Sequence, residues 1–178
     1  MLLKQKVDLA SAIILILGGC CLLLCPLLNM TDINVIFITT MMIYTIIHIG
    51  KYMLTREYHD YEGLLSSLAS LLIGSIAFFF RNNESSMNLA LLLFSWVILE
   101  SFIKLKKADY YHDRKSKLWI LEISFLILFI ITGILTSINL NYKNETQVLL
   151  LGYFFFTHGI LEFVDPIIIY LTKEKIKK

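Results

Sequence analysis

Six ionisable side chains stand inside stretches that are otherwise apolar: His48, Glu100, Glu122, His158, Glu162 and Asp165. His158, Glu162 and Asp165 are spaced i, i+4 and i+7, which puts them on one face of a helix. Trp96, Glu100 and Lys104 make the same stripe in an earlier segment, and Tyr44, His48 and Lys51 or Tyr52 make it earlier still. A charged group facing lipid costs about 3 kcal/mol or more, so such stripes belong on the inside of a helix bundle. Carboxylates and imidazoles gathered there can bind or relay protons, or hold a cation. The same stripes fit a purely structural reading, in which they are interhelical pairs that set register. Glu100 would then pair with Lys104 on its own helix, His48 with a carboxylate from a neighbour, and Lys51 and Lys104 would reach outward to the membrane interface.

The elements that must carry these groups are apolar segments of membrane length. Of the 178 residues 57% are hydrophobic and only 17% charged, against roughly 25% charged in a soluble domain. Mean hydropathy is +0.73. Six stretches read as spans, at about 9–28, 33–54, 64–80, 87–105, 118–138 and 148–171. Each is close to the roughly 20 residues that cross the hydrocarbon as a helix. Strands are not expected, because an open sheet edge has no partners in lipid and no alternating pattern recurs. The expected fold is therefore all-α: one transmembrane domain over residues 1–178, with six helices arranged as three hairpins at about 1–60, 61–113 and 114–178. The apolar run after Lys4 and Lys6 reads as the first span and not as a cleaved leader, because it continues to Leu28 and supplies the first half of a hairpin. Asp165-Pro166 predicts a kink in the last helix.

Orientation follows from the basic residues. Fourteen of the sixteen lysines and arginines fall in the two tails and in the second and fourth loops; only Arg81 and Lys143 fall elsewhere. That asymmetry predicts both termini in the cytoplasm. The opposite loops carry Asn29-Met-Thr31, Asn83-Glu-Ser85 and Asn144-Glu-Thr146, which read as tight-turn chemistry in preference to glycosylation acceptors.

Three marks keep step along the chain. Tyr44-Thr-Ile-Ile-His48, Trp96-Val-Ile-Leu-Glu100 and His158-Gly-Ile-Leu-Glu162 align. Each preceding segment has a glycine towards its outer half, at Gly18-Gly19, Gly74 and Gly133. Tyr58-His59-Asp60 and Tyr111-His112-Asp113 follow at similar distances, read as wet groups beside interfacial tyrosine and not as a metal site. Together they imply a triplicated hairpin. Ser66, Ser70 and Gly74, four apart, form a small-residue ridge that lets helices approach closely.

Several classes are not indicated. Cys20, Cys21 and Cys25 crowd one segment, which suits apolar filler and neither a disulfide framework nor a zinc site. No hydrolase, metalloprotease, phosphate-loop or haem-attachment motif occurs, so no enzyme activity and no cofactor is expected. The basic fourth loop and tail are explained by orientation and by anionic lipid, so nucleic acid is not needed as a partner.

The chain resembles the HdeD family of small bacterial inner-membrane proteins. The resemblance is carried by Leu15–Pro26, Leu71–Phe80 and Ile130–Ile134 in the odd segments, and by Ile98-Leu99-Glu100 and His158-Gly159-Ile160-Leu161-Glu162 in the even ones. His48-Ile49-Gly50 departs from it by offering histidine in place of glutamate. The resemblance implies six helices built as repeated hairpins, a multi-pass protein of the inner (plasma) membrane and a link with acid-stress resistance. It brings no catalytic residue. The expected function is a non-enzymatic membrane protein of stress or acid resistance with a proton- or cation-responsive cluster in its cytoplasmic half. A small secondary transporter or channel and a structural subunit of a membrane complex are the alternatives. The bilayer is the expected partner, with a second copy or another membrane protein as further candidates.

Overall fold

The computed structural model describes residues 3–28, 32–56, 61–80, 86–142 and 146–176. Six α-helices follow one another: α1 (Leu3–Leu24), α2 (Ile33–Thr55), α3 (Glu62–Phe79), α4 (Ser86–Asp113), α5 (Leu118–Leu140) and α6 (Gln147–Ile176), with a 3-10 turn at Cys25–Leu28 after α1. The all-α bundle of six helices expected from the sequence is present, and the described residues form no strand. Five of the helices, all but α4, are long and apolar enough to cross a membrane. Large apolar side chains such as Ile46, Met53, Phe79, Phe102 and Leu135 stand exposed around the outside. Apolar surface on that scale is expected where hydrocarbon replaces water.

Local chemistry sets the ends. Asp32 Oδ1 caps α2 by accepting from the backbone N–H groups of Asn34 and Val35, at 3.1 and 3.3 Å. The turn from α4 to α5 closes with Lys115 at φ 53°, a left-handed residue that lets the N–H groups of Lys115 and Ser116 return to the carbonyls of His112 and Tyr111. Gln147 Nε2 donates back to the Leu140 and Tyr142 carbonyls, at 3.0 and 2.7 Å, satisfying the end of α5. α6 is assigned as helix straight through the buried Pro166.

The helices close into a ring. Each packs on its two chain neighbours, and α1 packs on α6. The most extensive contacts are α1–α6, α4–α5 and α2–α3, while α1–α2, α3–α4 and α5–α6 touch less. The tightest pairing therefore joins the second helix of one hairpin to the first helix of the next. The glycines lie at these seams. A Cβ on Gly19 would stand 2.5 Å from the backbone nitrogen of Phe156, one on Gly74 3.1 Å from the Met41 Cβ, and one on Gly133 2.6 Å from a Val97 methyl. Gly152 and Gly159 of α6 meet the α1 backbone as closely, at Leu23 and Ile16. The absence of a side chain lets the backbones touch, as membrane helices need where lipid gives no hydrophobic drive.

The interior has two halves. Away from the termini it is apolar, built on Phe37, Met41, Leu93, Leu151, Phe154 and Phe155, all buried. Towards the terminal end it is polar. The boundary is a triad on the axis: Tyr44 of α2, Trp96 of α4 and His158 of α6, with ring centroids 5.1, 5.9 and 6.1 Å apart. All three are at most 1% exposed. Such aromatic pairs add about 1 kcal/mol each beyond the area they bury.

Candidate functional site: a charged chamber under an aromatic triad

One turn from the triad towards the terminal end, the bundle holds a polar chamber to which all six helices contribute. Asp8 comes from α1, Lys51 from α2, Glu62 from α3, Lys104, Lys107 and Tyr111 from α4, Glu122 from α5, and His158, Glu162 and Asp165 from α6. About 70 Å³ is open to the centres of water molecules, enough for several waters. Phe129 and His158 form its inner wall.

The charges are cross-linked between helices. Lys51 Nζ lies 3.2 Å from Asp8 Oδ1, joining α2 to α1. Lys104 Nζ donates to Glu162 Oε1 at 3.2 Å, joining α4 to α6, and lies 5.4 Å from the Phe129 ring centroid in a cation–π contact. Lys107 reaches two carboxylates, Glu122 at 3.3 Å and Asp165 by a short hydrogen bond. Lys107 lies beyond the apolar span. Burial opposes its charge, but Asp165, Glu62 and Glu122 outweigh that and hold its ammonium above the ordinary lysine value. The phenol of Tyr111, in the same region, is pushed above its usual value chiefly by burial. Five carboxylates face three ammoniums here. The imbalance favours uptake of positive charge, as protons or as a cation.

The six residues singled out from the sequence do not form one cluster. Glu122, His158, Glu162 and Asp165 line the chamber; His48 and Glu100 do not. His158 Nε2 lies 3.2 Å from the Tyr44 hydroxyl and 3.4 Å from Glu162 Oε1, so it touches both the triad and the chamber. His48 is buried and stacks on Tyr44 with ring centroids 4.0 Å apart. Glu100 is buried and its Oε2 accepts from Ser66 Oγ at 2.9 Å.

Three expectations of the structural reading, two pairings and one outward reach, are corrected. Lys104 pairs with Glu162 across the bundle and not with Glu100 on its own helix, because the i+4 side chain turns to the axis where the chamber's carboxylates lie. Lys51 and Lys104 do not reach outward; both turn inward, Lys51 to 6% exposure, since a carboxylate inside offers more than a distant interface. Both ring nitrogens of His48 lack a partner among the described residues, so no neighbouring carboxylate reaches it. The Ser66–Ser70–Gly74 ridge does pack on α2 through Gly74, but Ser66 also serves Glu100, and Ser70 Oγ lies 2.9 Å from Thr45 Oγ1.

Asp8, Glu62 and Lys107 are chamber residues that the sequence reading did not single out. Their signal was present, since each stands at the terminal end of a span, but end positions look solvated until the ring is closed. Tyr111 lines the chamber, while His112 is exposed and stands edge-on to Trp119 at 5.4 Å. Tyr58-His59-Asp60, Asn29 to Thr31, Asn83 to Ser85 and Asn144 lie outside the described residues. Among the described residues no group of three metal-ligating side chains occurs. The three cysteines are free thiols, Cys21 exposed and Cys20 half-buried on α1, and Cys25 half-buried in the turn that follows. Comparison with protein-family models, curated proteins and solved structures finds no match to this chain.

Proposed function

We propose that this is a non-enzymatic integral membrane protein, its termini in the cytoplasm, whose central chamber takes up protons or cations from the cytoplasmic side as part of an acid- or stress-resistance response. The observation that carries the reading is the chamber itself: an excess of carboxylates, enclosed by six helices, ending at a buried histidine. Charge is kept inside a membrane bundle at a cost, and the usual return on that cost is proton or ion handling. The basic asymmetry of the loops supports the orientation, and the likeness of the quoted segments to the HdeD family supports the stress link. A second reading, a small secondary transporter caught open to one side, is favoured by the apolar seal beyond the triad, where Phe37, Met41, Leu93 and Phe154 fill the axis.

The test is Glu162→Gln. Cells carrying it should lose pH-dependent survival, and vesicles containing the purified variant should lose acid-driven proton or cation uptake, at unchanged protein abundance. Unchanged survival and uptake in a well-folded Glu162→Gln protein would overturn the proposal. Substrate-dependent flux of a metabolite would favour the transporter.

A further inference from the structure

The charges of the chamber are unevenly matched. Asp8 meets Lys51 at 3.2 Å, and Glu162 meets Lys104 at 3.2 Å. Lys107 of α4 instead stands between two carboxylates, Glu122 of α5 at 3.3 Å and Asp165 of α6 through a short hydrogen bond. Glu122 is buried and the Asp165 side chain is 13% exposed. Both line the chamber, which has room for water beside them. Glu122 Oε1 and Asp165 Oδ1 are buried and accept no hydrogen bond among the described residues. The two carboxyl groups also lie within hydrogen-bond reach of each other. When both are ionised they repel, neither can donate to the other, and the trio with Lys107 is left with a net negative charge. One added proton makes the trio neutral: an ammonium, a carboxylate and an acid whose hydroxyl can donate to its neighbour.

We infer that Glu122 and Asp165 together form the chamber's proton-binding site, a carboxyl pair that shares one proton beside the Lys107 ammonium. The inference rests on the uptake reading and narrows its cargo to protons, because Lys107 already fills the place that a cation would take between the two carboxylates. In the uptake step a hydronium ion in the chamber gives a proton to one carboxylate oxygen of the pair. One O–H bond forms, a water molecule is left, and the new hydroxyl donates to the other carboxylate. The charged and titratable groups facing the pair are Asp8 of α1, Lys51 of α2, Glu62 of α3, Lys104, Lys107 and Tyr111 of α4, and His158 and Glu162 of α6. Glu162→Gln would leave the Lys104 ammonium without its carboxylate, and that added positive field opposes uptake at the pair.

Infrared difference spectra of the full chain in lipid, taken between mildly alkaline and mildly acid pH, test this. The wild type should gain a carboxylic-acid carbonyl band on acidification. Glu122→Gln and Asp165→Asn should each lose it, because the one carboxylate left is matched by Lys107 and stays ionised. A band at full amplitude in both variants would overturn the site, and a band lost in one but kept in the other would overturn the sharing of a proton. Sodium or potassium added at constant pH should leave the band unchanged; its loss on adding either ion would overturn the proton in favour of a cation. If one variant does not fold, the other and the salt addition decide. Glu162→Gln keeps both members of the pair, so unchanged survival in that variant would refute the proposed function while the band still decides the site.

Discussion

Glu162→Gln removes one charge and keeps the shape, so its effect on stability can be worked from its two partners. Glu162 Oε1 lies 3.2 Å from Lys104 Nζ and 3.4 Å from His158 Nε2. Removing one member of a buried ion pair costs about 3–5 kcal/mol, because the other charge stays behind unpaired. Here Lys104 is 18% exposed beside a chamber with room for water, and Phe129 still offers its ring face. Both features soften the loss, to about 1–3 kcal/mol. Lys104→Met should cost a similar amount, since it strands Glu162. The double variant should cost less than the two singles together, with a coupling of about 1–2 kcal/mol. Equilibrium unfolding in bicelles, followed by steric trapping or by helical signal, gives all four stabilities. Additive losses would refute the pairing of these two groups across the bundle.

Other outcomes follow from single contacts. Gly19→Leu drives a side chain into the Phe156 backbone and should cost about 2–3 kcal/mol in the same assay, while Gly18→Leu, with nothing within 4 Å, should be nearly silent. Lys107→Met should destabilise by about 2 kcal/mol. Because the folded ammonium titrates above its unfolded value, this contribution is complete below the ordinary lysine range and fades only as pH rises through the folded value. The loss in Lys107→Met, measured by thermal unfolding, should therefore be present at neutral pH and shrink only at strongly alkaline pH. Trp96 in a Trp119→Phe background should emit at short wavelength and resist acrylamide, whereas Trp119 alone, at 37% exposure, should be quenched.

Much of the architecture was legible because its signals are local. Apolar runs of membrane length define helices whatever their neighbours, and i, i+4 spacing places Glu162 beside His158 before any packing is known. The aligned positions of Tyr44, Trp96 and His158 anticipated residues that meet on the axis, although their mutual contact is a matter of packing. The ring was not legible. Its closure depends on α1 meeting α6, and Gly19, Gly152 and Gly159 give no hint of which distant backbone they will touch. The direction of Lys51 and Lys104 was hidden for the same reason. A long amine near a helix end can reach for the interface or for a carboxylate inside, and only the tertiary position of Asp8 and Glu162 decides. Glu100 and His48 parted from the other four because they turn to other neighbours, Ser66 and the Tyr44 ring, and which neighbours a buried side chain meets is set by packing between helices.

Cysteine accessibility addresses the enclosed chamber most directly. With Cys20, Cys21 and Cys25 replaced by alanine, Phe125→Cys on the chamber wall and Phe155→Cys beyond the triad can be challenged with a membrane-impermeant thiol reagent from either side. Phe125→Cys should react from the side that holds the termini and from that side alone, and Phe155→Cys from neither. Equal labelling at both positions, or none at Phe125→Cys from either side of a folded protein, would contradict a water-filled chamber sealed by Tyr44, Trp96 and His158.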